Sequence, residues 1–155
     1  KGEIKDWLKF KELDFLNRFD WIPVVLLASG CYALGESAWF QTWTGLSGAT
    51  TLIWGFLVPS IFLYHATFAV NSIAHLFGTR RYDTKDSSKN NFLLALLTLG
   101  EGWHNNHHFY PASARQGFRK REIDLTYYGL RLMAFFGLVR NLRSVPSWVK
   151  EKTTP

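Results

Sequence analysis

Three of the five histidines in this chain, His104, His107 and His108, form the pattern H-x-x-H-H. On a helix, positions i, i+3 and i+4 project from one face. Three imidazoles that merely packed there would each need a hydrogen-bond partner, whereas together they make a good set of metal ligands. A polar helix end with hydrogen-bonded histidines is the alternative, and the clustering after an apolar run favours a metal site.

A second polar pair lies upstream, where Asn71 and His75 are four residues apart. On a helix their side chains face the same way, at the point where an apolar stretch meets a charged segment. All-imidazole coordination suits iron, zinc, copper or nickel. Glu101, three residues before His104, is predicted to accept a hydrogen bond from a histidine N–H and so orient the ring, with a direct ligand role as the alternative. For His65, a structural hydrogen-bonding role is favoured over a ligand role.

The basic residues leave a long gap in the chain. All 18 Lys and Arg lie outside residues 19–79, where Asp20 and Glu36 are the only charges. Solvated protein surfaces carry charge throughout, whereas a bilayer excludes it. The single cysteine, Cys31, rules out a disulfide framework or a cysteine-based metal site within one copy. The sequence therefore predicts an all-α integral membrane protein.

Two apolar segments within the gap, 21–40 and 46–70, predict a transmembrane hairpin. A spanning helix needs about 20 apolar residues, which the first segment reaches only if it continues past Glu36. Pro59 should kink the second helix. The aromatic residues from Trp39 to Trp43 lie between the segments, as an interfacial belt does. The alternative is a buried hairpin of soluble helices.

Basic residues flank the hairpin at both outer ends, which places both termini on the cytoplasmic side. Residues 1–20 predict an amphipathic entry helix on the membrane face, with an ordinary surface helix as an equal alternative. Residues 71–155 form a cytoplasmic metal-binding cap. Within the cap we expect a loop over 78–91 and a helix that opens at 92–99 and carries the histidine motif. We also expect an amphipathic helix over 122–140, which carries Asp124 early and Arg140 late in accord with the helix dipole.

Two segments make the chain recognisable. NSIAHLFGTRRYDTKDSSKNN and LLTLGEGWHNNHHFYPASARQGF resemble the C-terminal half of acyl-CoA desaturases of the stearoyl-CoA type, and look most like the bacterial members. The match extends from about Asp6 to Pro146, and GEGWHNNHH is highly specific. The resemblance implies four transmembrane helices and three histidine boxes that bind two irons on the cytoplasmic face. It also implies metal ligands at His75, His104, His107, His108 and, through a water, Asn71.

The first two histidine boxes of that family are missing from the sequence. In the family they precede the segment that resembles residues 1–20. We therefore expect residues 1–155 to be a single partial desaturase domain whose N-terminal half lies elsewhere, and the start at Lys1 rather than Met agrees. Two metals need roughly eight donors, so the chain alone should bind iron weakly and be inactive.

For the complete enzyme, the resemblance implies an oxidoreductase that removes two hydrogens from a saturated acyl chain with O2 and leaves a cis double bond. A ferredoxin or cytochrome would supply electrons, and the substrate would be a fatty acyl-CoA or acyl-lipid. Tyr64 and Phe68 are candidates for the acyl tunnel, with ordinary packing as the alternative. Candidates for attracting an anionic head group, with solvated or membrane-facing roles as alternatives, are Arg80, Arg81, Arg115 and Arg119.

Three other functions remain open at this point. A related membrane di-iron fatty acid or alkane hydroxylase shares H-x-x-H-H, and an inactive membrane hairpin fragment would need no chemistry. A small soluble zinc module that reads nucleic acid is raised only by the net charge of +6. The basic residues lie beside membrane-length apolar runs rather than on one stripe, so no nucleic-acid partner is expected.

Overall fold

The computed structural model describes residues 9–152, which form helices joined by loops. Within that range there is no β-strand, and the only β-type pairing is two isolated bridges, Thr79–Asn90 and Asn90–Trp103. The all-α prediction is therefore confirmed. The chain divides into two units, Lys1–Leu63 and Tyr64–Pro155. The helices are α1 (Lys11–Arg18), α2 (Trp21–Glu36), α3 (Ala38–Thr44), α4 (Gly48–Leu52), α5 (Val58–Leu76), α6 (Phe92–Leu97), α7 (His104–Phe109), α8 (Leu125–Phe135) and α9 (Ser147–Glu151), with a π-helical segment, Ile53–Leu57, between α4 and α5.

One continuous helix, Gly48–Leu76, is long and apolar enough to cross a bilayer. Its 29 residues extend about 43 Å at 1.5 Å per residue, more than the hydrocarbon core of about 30 Å. Only 6% of its most apolar window is buried, unlike the core helix of a soluble protein. The helix continues beyond the predicted end at residue 70, and its last turn therefore carries His75.

Pro59 lies inside this long helix without ending it. A proline has no N–H to bond the carbonyl four residues earlier, which here belongs to Gly55. Gly55 lies in the π-helical segment Ile53–Leu57, where hydrogen bonds run from i to i+5. The disturbance that the sequence predicted at Pro59 is therefore taken up in the preceding turn, as a local widening of the helix.

The first predicted span, residues 21–40, is broken in the structure. Helices α2 and α3 meet at a bend of 73° and reach the length and apolarity of a span only as a pair. Ser37 at the break has an extended backbone, with φ of −71° and ψ of 132°. The carboxylate of Glu36, the last residue of α2, accepts a hydrogen bond from the Gly48 N–H at 2.9 Å, which joins the end of α2 to the start of α4.

Helices α2 and α4 pack closely because glycines stand at their contact. A Cβ added to Gly35 would lie 2.7 Å from the Gly48 Cα and 2.7 Å from the Ser47 carbonyl oxygen. Both neighbours are backbone atoms, which cannot rotate away. The contact therefore depends on the absence of a side chain at Gly35.

The substitution Gly35→Ala should lower the free energy of unfolding by about 1–3 kcal/mol, because overpacking forces the backbones apart. Gly30→Ala is the matched control, since it lies on the same helix with nothing within 4 Å of the added Cβ and alanine favours helix. Thermal unfolding in detergent, followed by far-ultraviolet circular dichroism, compares the two variants. Equal melting temperatures would contradict the close-packing argument.

The second unit contains a turn that the sequence did not predict. The expected helix from 92–99 through the histidine motif is wrong, because α6 ends at Leu97 and α7 begins afresh at His104. Between them Leu99 and Gly100 have φ of 58° and 133°, conformations that an α-helix cannot contain. The Asn91 N–H donates to the Gly102 carbonyl at 2.8 Å, which holds the reversed chain against the start of α6.

Two other predicted helices differ in extent. The helix predicted over 122–140 is α8, Leu125–Phe135. Asp124 caps it by accepting from the Tyr127 N–H at 2.9 Å, whereas Arg140 lies beyond its end. The predicted acidic residue is therefore present at the N-terminus of the helix, and the predicted basic residue is absent from its C-terminus. Of the entry helix predicted over 1–20, α1 is observed and has no buried residue, and residues 1–8 lie outside the described part.

Candidate metal centre

Three imidazoles converge in the second unit. His75 comes from the last turn of α5, and His104 and His108 come from α7. One ring nitrogen from each lies within 4.8 Å of the others, and the Nε2 atoms of His75 and His104 are 3.1 Å apart. The convergence of the two histidine segments, which the sequence predicted, is therefore present.

His107 faces the same cavity from the next position around α7. Its ring centroid is 5.7 Å from that of His108 and 6.4 Å from that of His104, so it stands beside the close trio. The cavity has a volume of ≈ 370 Å³. It is lined by Thr67, Val70, Asn71, Glu101, His104, His107 and His108.

Burial favours the neutral form of two imidazoles in this cavity, His104 and His107. It lowers the pKa of His104 to about 4, and the neighbouring His108, His75 and His107 add to the effect. Burial and then the positive charge of His108 lower the pKa of His107 too, against the opposing pull of Glu101. A neutral imidazole offers a lone pair to a metal, whereas a protonated one cannot bind.

Two residues of the loop 78–91 contact this cluster, and sequence reasoning missed both. The Asp86 carboxylate bonds the Nδ1 of His108, and the Ser87 hydroxyl lies 3.1 Å from the Nδ1 of His75. Burial alone would raise the pKa of the Asp86 carboxyl, but hydrogen bonds from Ser88, His108 and Thr84 hold it below its usual range. No spacing rule links Asp86 to a histidine 22 residues away.

The two asparagines of HNNHH anchor α7 from its opposite face. Asn105 and Asn106 are both fully buried. Asn105 accepts from the backbone N–H groups of Arg81 and Tyr82 at 2.9 and 2.7 Å and donates to the Tyr82 carbonyl at 2.9 Å. With all these groups satisfied, the loop that carries Asp86 is fixed to the histidine helix.

Asn106 joins a buried ion pair beneath the histidines. Its Nδ2 donates to the Glu122 carboxylate at 2.9 Å, and its Oδ1 accepts from Asn90 at 2.8 Å. The other carboxylate oxygen of Glu122 pairs with Arg81. The Arg81 guanidinium is thus held in an ion pair inside the fold, although the sequence analysis placed Arg81 among the head-group candidates.

The remaining predicted residues lie outside the cluster. Tyr64 and Phe68 stack at 6.4 Å on the exposed surface of α5, while Thr67 and Val70 of the same helix line the cavity. His65 is exposed and is not part of the trio. Arg80 pairs with Asp83, the Arg115 guanidinium lies 5.5 Å from the ring centre of Tyr127, and Arg119 is exposed.

The residues present fit a transition-metal ion. Imidazole donors suit iron, and two ligands each about 2.0–2.1 Å from one ion lie roughly 3 Å apart when they are adjacent, as the nitrogens of His75 and His104 are. The Asn71 amide donates to the Thr67 carbonyl at 3.1 Å and borders the same space. The four histidines of this site are fewer than the roughly eight donors of a two-metal centre.

Comparisons with known proteins agree on one family. The family model for fatty acid desaturase matches residues 4–139. An acyl-CoA 5-desaturase of Anemone leveillei is 37% identical over 147 residues, which is 95% of this chain and 42% of that protein. An icosanoyl-CoA 5-desaturase of Limnanthes douglasii is 41% identical over 107 residues, covering 69% of this chain and 30% of the relative.

A third relative is also a desaturase. An sn-1 stearoyl-lipid 9-desaturase of Synechocystis sp. is 43% identical over 101 residues, which cover 65% of this chain and 32% of the relative. The chain therefore spans less than half the length of each of these three curated relatives.

Proposed function

Because the chain belongs to the fatty acid desaturase family, we propose that it forms the C-terminal part of a fatty acyl desaturase. The complete enzyme inserts a cis double bond into a saturated acyl chain with O2 and a di-iron centre. The observation that carries this proposal is the convergence of His75, His104 and His108 at the end of a membrane-length apolar helix. The family is iron-dependent and membrane-associated, which fits both features.

We propose that α2 with α3 makes one membrane passage and that Gly48–Leu76 makes the other. Both ends of this hairpin are cytoplasmic, since the basic residues lie outside residues 19–79. Residues 71–155 then form a cytoplasmic cap, and residues 1–20 lie along the membrane face as an entry segment. The whole of 1–155 is one partial desaturase domain.

In this proposal His75, His104, His107 and His108 are direct metal ligands, and Asn71 holds a metal through a water. Glu101 borders the cavity and acts on His107 electrostatically. The chain supplies four imidazoles, and the donors that complete two irons come from an N-terminal half. Bound iron would activate O2, the oxidant that removes hydrogen from an unactivated methylene.

The chain's own residues bind and orient the substrate. Thr67 and Val70 form the helix side of the cavity, so an acyl chain passing them comes close to the histidines, and Tyr64 and Phe68 extend the apolar surface of the same helix. Arg80, Arg115 and Arg119 provide positive charge for an anionic head group, whereas Glu122 neutralises the fourth candidate, Arg81. Arg119 is the best placed because it is exposed, while Arg80 pairs with Asp83 and Arg115 lies against Tyr127.

We propose a fatty acyl-CoA or acyl-lipid as substrate, since the relatives bear the names of acyl-CoA and stearoyl-lipid desaturases. A ferredoxin or cytochrome delivers the electrons. The substrate head group and the electron donor both approach from the cytoplasmic side, where the cap and its basic residues lie.

Membranes that contain this chain together with the N-terminal half that we propose completes it should convert a saturated acyl substrate into a monounsaturated product. The assay supplies iron, O2 and reductant, and gas chromatography with mass spectrometry identifies the product. The chain alone serves as control and should form none, because it lacks half of the metal donors. A hydroxylated product would indicate a hydroxylase instead, and absence of any oxidised product in iron-loaded membranes would refute the proposal.

A further inference from the structure

We propose that Asp86 and Ser87 are positioning residues that orient two metal-binding imidazoles. Each contacts the Nδ1 of one histidine and leaves its Nε2 available: Asp86 acts on His108 and Ser87 on His75. The inference rests on the metal site of the proposed function. It adds to that site two loop residues that place its ligands.

The first step of the argument is the direction in which the rings point. The Nδ1 of His75 faces Ser87 at 3.1 Å, while its Nε2 faces the Nε2 of His104 at 3.1 Å. The Nδ1 of His108 likewise contacts the Asp86 carboxylate. Because one nitrogen of each ring is occupied by the loop, the other nitrogen is the one left for a metal.

The second step is the proton that Asp86 selects. An ionised carboxylate can only accept hydrogen bonds, so His108 must carry its proton on Nδ1. Its Nε2 then has a free lone pair. Carboxylate–histidine–metal arrangements of this type fix the tautomer and raise the basicity of the ligand.

The third step is that the loop holds the carboxylate in place. The other oxygen of Asp86, Oδ1, accepts from the Ser88 N–H at 2.9 Å and from the Thr84 hydroxyl at 3.1 Å. Ser88 is fully buried. Because one carboxylate oxygen is held by the loop, the other faces His108.

Ser87 should have a weaker effect than Asp86. Its hydroxyl can either donate or accept, so it fixes the orientation of the His75 ring without selecting one tautomer. The substitution Ser87→Ala should therefore weaken metal binding by only roughly 2- to 10-fold, the worth of one neutral hydrogen bond.

Asp86→Asn is the decisive variant because it keeps the shape of the side chain. If its Oδ1 remains on Ser88 and Thr84, its Nδ2 points at His108 and donates to Nδ1. The proton of His108 must then move to Nε2, which blocks the nitrogen left for the metal. Titration of the chain in detergent with Co²⁺, followed by the visible absorption of the bound ion, should give an affinity reduced about 10- to 100-fold.

A second readout needs no metal. Nitrogen-15 NMR of the imidazoles at pH 8 reports which ring nitrogen carries the proton. The unaltered chain should show His108 protonated on Nδ1, and Asp86→Asn should show the proton on Nε2. Asp86→Glu retains a carboxylate and should restore the Nδ1 proton, which a merely structural role for Asp86 would not predict.

Asp83→Asn is the matched control, since Asp83 lies in the same loop, pairs with Arg80 and has an 88% exposed side chain. It should change neither the tautomer nor the Co²⁺ affinity. An Asp86→Asn variant with an unchanged His108 tautomer and unchanged affinity would overturn the inference and leave the proposed function standing. If the unaltered chain bound no Co²⁺, the tautomer measurement alone would decide the role of Asp86.

Discussion

Replacing His104 with alanine is expected to abolish product formation in the completed enzyme and to weaken Co²⁺ binding by the chain more than about 100-fold. That loss exceeds the 10- to 100-fold range of residues that only orient ligands. His104 is buried, lies 3.1 Å from His75 through Nε2, and borders the cavity. Gas chromatography of the acyl products and visible absorption of bound Co²⁺ measure the two effects.

His65→Ala is the control for this substitution. His65 lies on the same long helix as His75, but it is exposed and outside the trio. Its removal should leave both the product yield and the Co²⁺ affinity unchanged. Metal binding that survives in His104→Ala but not in His65→Ala would contradict the assignment of the site.

The substitution Glu122→Ala should reduce the free energy of unfolding by about 3–5 kcal/mol, because it leaves a largely buried cation without its partner. The Glu122 side chain is 5% exposed and that of Arg81 is 18% exposed. The same carboxylate accepts from Asn106 and from the Arg119 N–H at 2.9 and 3.0 Å. Thermal unfolding in detergent, followed by circular dichroism, measures the loss.

An exposed ion pair in the same unit provides the comparison. Asp83→Ala removes the partner of Arg80 at the surface and should cost no more than about 1 kcal/mol. A double variant, Arg81→Met with Glu122→Leu, should recover part of the loss, since an apolar pair leaves no buried charge. Equal destabilisation by Asp83→Ala and Glu122→Ala would mean that the buried pair does not anchor the cap.

Local spacing sufficed to predict much of the site. The H-x-x-H-H pattern places His104, His107 and His108 on one face of α7 because a helical turn brings i, i+3 and i+4 together. The same periodicity turns Asn105 and Asn106 to the opposite face, where they are buried. These relations depend on neighbours within one turn, so they can be predicted from the sequence.

Long-range features were harder to predict. The break between α6 and α7 depends on the left-handed backbone of Leu99, a conformation that leucine rarely adopts and that only the surrounding packing selects. The bend at Ser37 goes with the hydrogen bond between Glu36 and Gly48, and the π-helical turn before Pro59 contains the Gly55 carbonyl that a proline cannot bond. A count of apolar residues includes neither feature.

The sequence by itself determined that His104, His107 and His108 share one helix face, that residues 19–79 carry no Lys or Arg, and that Asp124 lies near the start of a helix, because each follows from residue type and local spacing. Only the tertiary structure decided that Asp86 and Ser87 meet the histidines and that Glu122 pairs with Arg81. Those contacts join residues 12 to 41 positions apart in the chain. Chain reversals bring them together, and helical periodicity does not encode which loop atom will face which ring.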